Sequence, residues 1–123
     1  MRVLQLLVLL LFCALTTLAQ AGDQTPPTTT PWAGASPTKS RLILESAEYA
    51  GEGVIRAGIQ IKLEHGWWTY WRAPGASGMP PMFDYSGSQN LADEPETIWP
   101  VPLRAVAYGE KVNVYRDEVV FPI

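Results

Sequence analysis

The side chains that could perform chemistry are few and widely spaced in this sequence. Its one histidine, His65, has no cysteine or second histidine nearby, and metal binding requires several convergent ligands. Asp93, Glu94 and Glu96 flank a proline in a polar stretch, a pattern more typical of a solvated loop than of a paired acid and base. No Gly-x-Ser-x-Gly elbow, phosphate-binding loop or dinucleotide fingerprint occurs. We therefore expect no catalytic residue, no metal and no cofactor.

The one cysteine, Cys13, lies in an N-terminal stretch that has the features of a signal peptide. Residues 3–15 form an almost unbroken apolar run, and Ala19-Gln20-Ala21 supplies the small-x-small cleavage pattern. The run is shorter than the roughly 20 residues that a membrane-spanning helix needs. We expect residues 1–21 to be a signal peptide, so that the exported mature chain has no thiol for nucleophilic catalysis or metal binding.

The charge pattern excludes two classes of partner. The formal net charge is -3, and acidic and basic residues are interspersed. The sequence has no basic stripe suited to nucleic acid and no basic amphipathic run suited to a membrane surface. We expect neither partner.

Aromatic residues are concentrated in the stretch His65–Tyr85, which contains three of the five tryptophans. Alternation along a strand places Trp67 and Trp71 on one face and Trp68 and Tyr70 on the other. One face must belong to the core. The other face is either covered, by the loop that follows or by the linker, or exposed as a platform for a peptide, a sugar ring or a partner domain. Coverage is favoured, because a small domain without disulfides depends on aromatic burial, and each ring removes about 150–250 Å² from water.

A loop rich in proline and glycine follows this aromatic strand. Gly75 and Gly78 permit positive φ angles, and Pro80 and Pro81 fix an extended backbone. A stiff loop loses little entropy on binding and so suits recognition. It equally suits a structural crossover between two sheets, and its composition does not decide between these roles.

Short strand patterns separated by turn signals make up the rest of the chain. The clearest is at residues 59–64, where Ile59, Ile61 and Leu63 alternate with polar side chains. No stretch of ten residues after the signal peptide has a helical period. The predicted strands are 41–49, 54–64, 67–72, 82–85, 112–115 and 118–123, with 97–102 as an edge strand or extended loop. This pattern predicts an all-β fold, an immunoglobulin-like antiparallel β-sandwich.

The organisation of the chain follows from its composition. Residues 22–40 are rich in proline and threonine and predict an extended linker. Trp32 in this linker either docks back on the domain or is exposed to solvent, and exposure is favoured. Residues 41–123 form the predicted domain. An immunoglobulin-like sandwich has about 100 residues, whereas about 80 follow the linker and the sequence stops within a strand pattern. We therefore expect the sandwich to be truncated at its C-terminus.

Residues 66–85 resemble the signature of the N-terminal periplasmic domain of DsbD-like, ScsB-type thiol:disulfide interchange proteins, also known as the disulfide bond corrector domain. The segments 99–102 and 115–122 are similar to two later motifs of that family. The residues that carry the resemblance, and that are the candidates for partner binding, are Trp67, Trp68, Tyr70, Trp71, Arg72, Pro74, Gly75, Ser77, Gly78, Pro80, Pro81, Phe83, Trp99, Pro100 and Tyr115.

The resemblance implies a periplasmic sandwich domain in a protein-disulfide reductase system, which can supply cytochrome c maturation. By this resemblance the domain usually precedes a membrane-embedded electron-transfer domain and a thioredoxin-like domain. The implied partners are periplasmic thiol-redox proteins or the membrane electron-transfer domain of the same system. Trp68, Ala73 and Ala76 replace the family's usual His, Asn and Asp. The family's redox cysteine pair lies beyond the point where this sequence stops, so no catalytic residue is carried over.

The sequence thus predicts an accessory module that positions a partner and lacks redox cysteines of its own. The alternative is a small carbohydrate- or peptide-binding β-sandwich that uses Trp68 and Tyr70 as a stacking platform. A third interpretation is a gene fragment without function.

Overall fold

The computed structural model describes residues 28–46 and 53–123, and these residues form two antiparallel β-sheets packed as a sandwich. One sheet has four strands in the order β1-β2-β3-β7, and the other has three in the order β4-β6-β5. The strands are β1 (Ala33–Ala35), β2 (Thr38–Leu44), β3 (Ala57–Leu63), β4 (Trp68–Gly75), β5 (Leu103–Ala107), β6 (Glu110–Arg116) and β7 (Glu118–Pro122). The predicted all-β sandwich is confirmed. No helix in the described ranges is long and apolar enough to cross a membrane.

The alternating stretch forms β3, the strand that lies between β2 and β7. Ile61 and Leu63 are buried on the inner face, as the alternation predicts. Gln60 is on the opposite face but is buried too, because strands flank β3 on both sides. Its amide is satisfied there: Arg41 Nε donates to Gln60 Oε1 at 2.6 Å, and Gln60 Nε2 donates to Glu118 Oε1 at 2.5 Å.

The two C-terminal strand predictions correspond to β6 and β7, but these strands belong to different sheets. Asp117, with a φ of 59°, turns the chain from one sheet to the other. In β7, Val119 and Phe121 point into the core, while Glu118, Val120 and Pro122 are exposed. The aromatic strand becomes β4, which pairs with β6.

One strand prediction was wrong, and one strand was not predicted. Residues 82–85 form no strand, although Phe83 is half-buried, because this segment contacts the core through its side chains and not through a β-ladder. β5 was not predicted; it pairs with β6 through the two-residue turn Tyr108-Gly109, in which both φ angles are positive.

Strand pairing also extends N-terminal to Arg41, into the segment where the composition indicated a linker. β1 pairs with β2, and Thr30 N and Leu44 N donate to Leu42 O and Thr28 O at 2.9 and 2.7 Å. Backbone hydrogen bonds attach this segment, so its lack of apolar side chains does not exclude it from the sheet. The linker–domain boundary stays a prediction. The expected signal peptide and the predicted turn at 51–53 lie wholly or mostly outside the described residues.

Apolar side chains cluster on both faces of the three-stranded sheet. Between the two sheets lie Ile61, Leu63, Tyr115, Val119 and Phe121, with Ile59, Trp71, Phe83 and Trp99 packed against them. On the outer face lie Ala107, Val112 and Val114, with Trp68, Tyr70 and Ala105 against them. The predicted division of the aromatic strand into two faces therefore holds for Trp71 against Trp68 and Tyr70. Trp67 precedes β4 and is exposed.

Phe121 is fully buried, so we expect Phe121→Ala to lower the free energy of unfolding by about 3–5 kcal/mol, through lost apolar transfer and the cavity that remains. Urea unfolding followed by circular dichroism measures this. Val101→Ala removes an exposed side chain as a control, and its effect should stay within about 0.5 kcal/mol. A similar small effect for both variants would contradict this description of the core.

Candidate partner-docking site

An aromatic cluster surrounds Phe121 and joins segments that are far apart in the sequence. The Phe121 ring centroid lies 5.3 Å from Phe83, 5.1 Å from Trp99 and 5.3 Å from Tyr115. Tyr115 and Trp99 approach it edge-on, with interplanar angles of 90° and 73°, which is a favourable arrangement for aromatic rings. The structure therefore brings Phe83, Trp99 and Tyr115, three of the predicted signature residues, into one contact set.

A buried hydrogen bond fixes the same region. Tyr115 Oη donates to the carbonyl oxygen of Pro100 at 2.6 Å, so the signature residues of β6 and of the loop before β5 are directly joined. Burial raises the pKa of Tyr115, and the positive charge of Arg72 opposes this shift. The neutral phenol is thus the stable form in the folded protein.

The β4 strand departs from regular pairing just where the signature loop begins. Tyr70 pairs with Val114 and Gly75 pairs with Val112, so the residues between them form a bulge. Asn113 Nδ2 donates to the carbonyl oxygen of Ala73 at 2.9 Å, within the bulge. Arg72 is exposed at its surface and Pro74 is half-buried. The bulge is therefore tied to β6 by a side chain in place of ladder bonds.

The loop after the bulge covers part of the aromatic strand. Gly78 lies so close to the ring of Tyr70 that a Cβ atom at this position would overlap it. Pro80, Pro81 and Ser77 are half-buried, and the Ser77 hydroxyl and the Trp71 indole nitrogen are buried without a hydrogen-bond partner in the described protein. The loop is thus packed on the sheet, and the Tyr70 ring is not open on the side that Gly78 covers.

Exposed apolar side chains lie beside the half-buried rings of Phe83 and Trp99 in two neighbouring segments. Met82 precedes Phe83 and is 85% exposed; Ile98 precedes Trp99 and is 61% exposed; Val101 is 92% exposed. The Phe83 and Trp99 centroids lie 6.1 Å apart, and Ile98 N donates to Pro122 O at 2.8 Å, so both segments are anchored. We call Met82, Ile98 and Val101 the apolar loop surface. Exposed apolar side chains grouped on anchored segments are candidates for contact with a partner, and methionine adapts readily to one.

The apolar loop surface was not predicted, because the tryptophans were expected to form any exposed platform. Trp68 is half-buried against the outer-face cluster, and Arg116 lies 5.6 Å from its ring centroid. The alternation in Met82-Phe83 and Ile98-Trp99 was the available signal. This signal can be used only when it is known that the Phe83 and Trp99 rings pack against the same core, and the sequence does not contain that information.

The polar residues of this region have local roles. Asp84 Oδ1 accepts a hydrogen bond from Ser86 N at 2.9 Å, and this bond lowers the pKa of the Asp84 carboxyl. Asp93, Glu94 and Glu96 are exposed, and so is His65. Within the part of the chain that is described, no three His, Cys, Asp or Glu side chains converge as a metal site would require. The arrangement offers a surface for contact with another molecule.

Fold and site together define a β-sandwich domain with an apolar surface on anchored loops. Residues 40–123 match the family model described as thiol:disulfide interchange protein DsbD, N-terminal, and the chain belongs to that family. The match confirms the resemblance of the signature motifs. The fold is similar to the crystal structure of the N-terminal periplasmic domain of ScsB from Proteus mirabilis, with a TM-score of 0.62 and 27% identity. The similarity covers 79% of this chain and 38% of that one. Comparison with the curated proteins gives no match.

The bulge predicts a strong dependence on Gly75. Its φ is +99°, and a Cβ atom would lie 2.5 Å from the carbonyl oxygen of Lys111, whereas Gly66, with a φ of +86°, has nothing within 4 Å. Both Gly75→Ala and Gly66→Ala introduce backbone strain of about 1–2 kcal/mol. We expect Gly75→Ala to cost about 1–3 kcal/mol more, because its Cβ meets backbone of the neighbouring strand. Equal unfolding midpoints in urea would show that the bulge tolerates a side chain.

Tyr115→Phe removes the hydrogen bond to Pro100, and we expect it to cost about 0.5–1.5 kcal/mol at neutral pH. Because the folded-state pKa is raised, this phenol keeps its proton at pH values where the unfolded chain loses it. Its contribution is complete below the ordinary value of 10.0 and is lost as the pH rises above it. The advantage of the wild type over Tyr115→Phe should therefore shrink in alkaline buffers.

Chemical denaturation at a series of pH values measures this effect. Tyr108→Phe, at an exposed tyrosine, is the matched control and should leave the stability unchanged. An advantage over Tyr115→Phe that stays constant above pH 10.0 would contradict the assignment.

Proposed function

We propose that this domain is a periplasmic docking module of a thiol:disulfide interchange system. It binds a redox partner through the apolar loop surface, and cysteines of other domains or proteins carry the electrons. Family membership supports the system. The observation that carries the docking role is the exposure of Met82, Ile98 and Val101 on loops whose half-buried rings pack around Phe121.

The anchored loops suit this role for a thermodynamic reason. Association loses free energy for every segment that must be ordered, and a loop already held by its rings avoids much of that loss. The segment 97–102 also contains Pro100, whose carbonyl oxygen accepts a hydrogen bond from Tyr115. A partner therefore meets apolar side chains on a preformed backbone.

The chemistry of the system is assigned to other parts. The one cysteine of this sequence, Cys13, lies within the expected signal peptide, so residues 22–123 supply no thiol. Protein-disulfide reductase activity, and any supply of reductant for cytochrome c maturation, then belongs to the whole system. The proposed partners are its membrane electron-transfer domain and periplasmic thiol-redox proteins. The periplasmic location of the ScsB domain and the signal-peptide pattern support export to that compartment.

The alternative, a carbohydrate- or peptide-binding sandwich with Trp68 and Tyr70 as its platform, receives less support from the structure. A stacking platform requires two open ring faces, but Gly78 lies against the Tyr70 ring and Trp68 packs on the outer-face cluster. Neither ring resembles a free surface side chain.

The proposal predicts that charges on the apolar loop surface abolish docking without unfolding the protein. Met82→Glu and Ile98→Glu should each weaken binding to the thioredoxin-like domain of the same system by at least about tenfold, because docking would bury an unpaired carboxylate. Isothermal titration calorimetry with the reduced and the oxidised partner measures the affinity.

Val54→Glu is the matched control, since it places the same charge on an exposed valine before β3. It should bind as the wild type does, and all three variants should keep the wild-type circular dichroism spectrum. Equal loss in all three, or full binding by Met82→Glu and Ile98→Glu, would overturn the proposed surface.

A further inference from the structure

The outer face of the four-stranded sheet carries a pair of facing positive charges. Lys39 of β2 lies directly opposite Lys62 of β3, and both side chains are exposed. Like charges in this cross-strand arrangement are destabilising. Among the described residues, the one side-chain ion pair joins Arg56 and Glu45. The ammonium groups of Lys39 and Lys62 therefore have no carboxylate oxygen within 4.0 Å.

Two carboxylates on this face offset its cations only in part. Glu118 of β7 lies directly opposite Lys62 and keeps its charge while its Oε1 accepts a hydrogen bond from the neutral amide of Gln60, and Glu64 follows Lys62 by two residues. The same Gln60 accepts from Arg41, which adds a third cation to this face. The face thus has an excess of positive charge on a chain whose net charge is -3.

A cavity of about 290 Å³ opens beside the two lysines. Trp32 forms one wall, and its ring is held by the Arg41 guanidinium carbon 4.4 Å from the ring centroid, within the range of a cation–π contact. Trp32 was predicted to be exposed, and it is 37% exposed, with the Arg41 guanidinium stacked on its ring. Ser36, Pro37, Leu63 and Glu64 complete the lining.

The geometry points to a binding site for an acidic, extended polypeptide segment, with one carboxylate held between Lys39 and Lys62 and the chain lying against Trp32. The two ammonium groups supply donors for a carboxylate, and the apolar ring and Pro37 supply a surface for the peptide backbone. A membrane surface is a poorer match, because recognition of anionic lipid uses clusters of about four to eight basic residues. The single-residue size of the cavity matches a side chain better than a headgroup layer.

The test is a titration of the purified ¹⁵N-labelled protein with an N-acetylated, C-amidated peptide of alternating glycine and glutamate. Saturable movement of the Trp32 indole N–H signal, assigned with Trp32→Phe, is the expected result. Lys39→Gln and Lys62→Gln should each weaken binding about fivefold or more, as loss of a charge-assisted hydrogen bond requires. Binding should also weaken with added salt.

Controls separate this site from a general attraction of anions. Lys111→Gln, at an exposed lysine of the other sheet, should leave the affinity unchanged, and the peptide with glutamine in place of glutamate should not bind. Lys39→Gln should also raise the thermal midpoint of the free protein slightly, since it relieves the facing charges, whereas Lys62 is also opposite the carboxylate of Glu118. This distinguishes a lost site from a damaged fold.

Three results would overturn the inference. The first is no movement of the Trp32 signal at millimolar peptide. The second is equal saturation by inorganic phosphate, which would make the pair an unspecific anion site. The third is binding to phosphatidylglycerol vesicles without binding to the peptide.

Discussion

The arrangement of the domain depends on the burial of Phe121 between the two sheets. The Phe121 ring contacts Tyr115 of the opposite sheet. It also contacts Phe83 and Trp99, which lie in segments that form no strand. Without these contacts the chain between β4 and β5 would have few links to the sandwich. Two hydrogen bonds, from Ile98 N to Pro122 O and from Tyr115 Oη to Pro100 O, also fix the orientation of this segment, which is otherwise held by apolar contacts. The same rings that stabilise the core therefore also position the exposed residues between them.

The parts of the fold that could be predicted are those with a local pattern. Alternation at 59–64 identified β3, and the turn-separated strands identified the all-β class. β5 could not be found, because its turn Tyr108-Gly109 lacks the asparagine or aspartate that usually signals such a hairpin. Residues 82–85 have strand-like alternation without a partner strand, since a side chain can point inward from an extended loop. The pairing of residues 28–35 with β2 rests on backbone bonds, which composition does not report.

The candidate site, like the fold, could be predicted from the sequence only in part. The signature motifs identified the family, and the structure brings Phe83, Trp99, Pro100 and Tyr115 together. Those residues are mostly anchors, however, and the groups offered to solvent are their neighbours in sequence, such as Met82 and Ile98. Which member of each pair faces outward depends on the position of the core, a property of the tertiary structure. The aromatic signature thus acts mainly by holding the loops in place.

The central claim, that the anchored loops are the docking surface, is tested most directly by hydrogen–deuterium exchange of the domain with and without the thioredoxin-like partner. We predict slower exchange in residues 79–83 and 97–102 when the partner is present, with β4 unchanged. Protection confined to residues 68–70, or the same exchange in both samples, would contradict the claim.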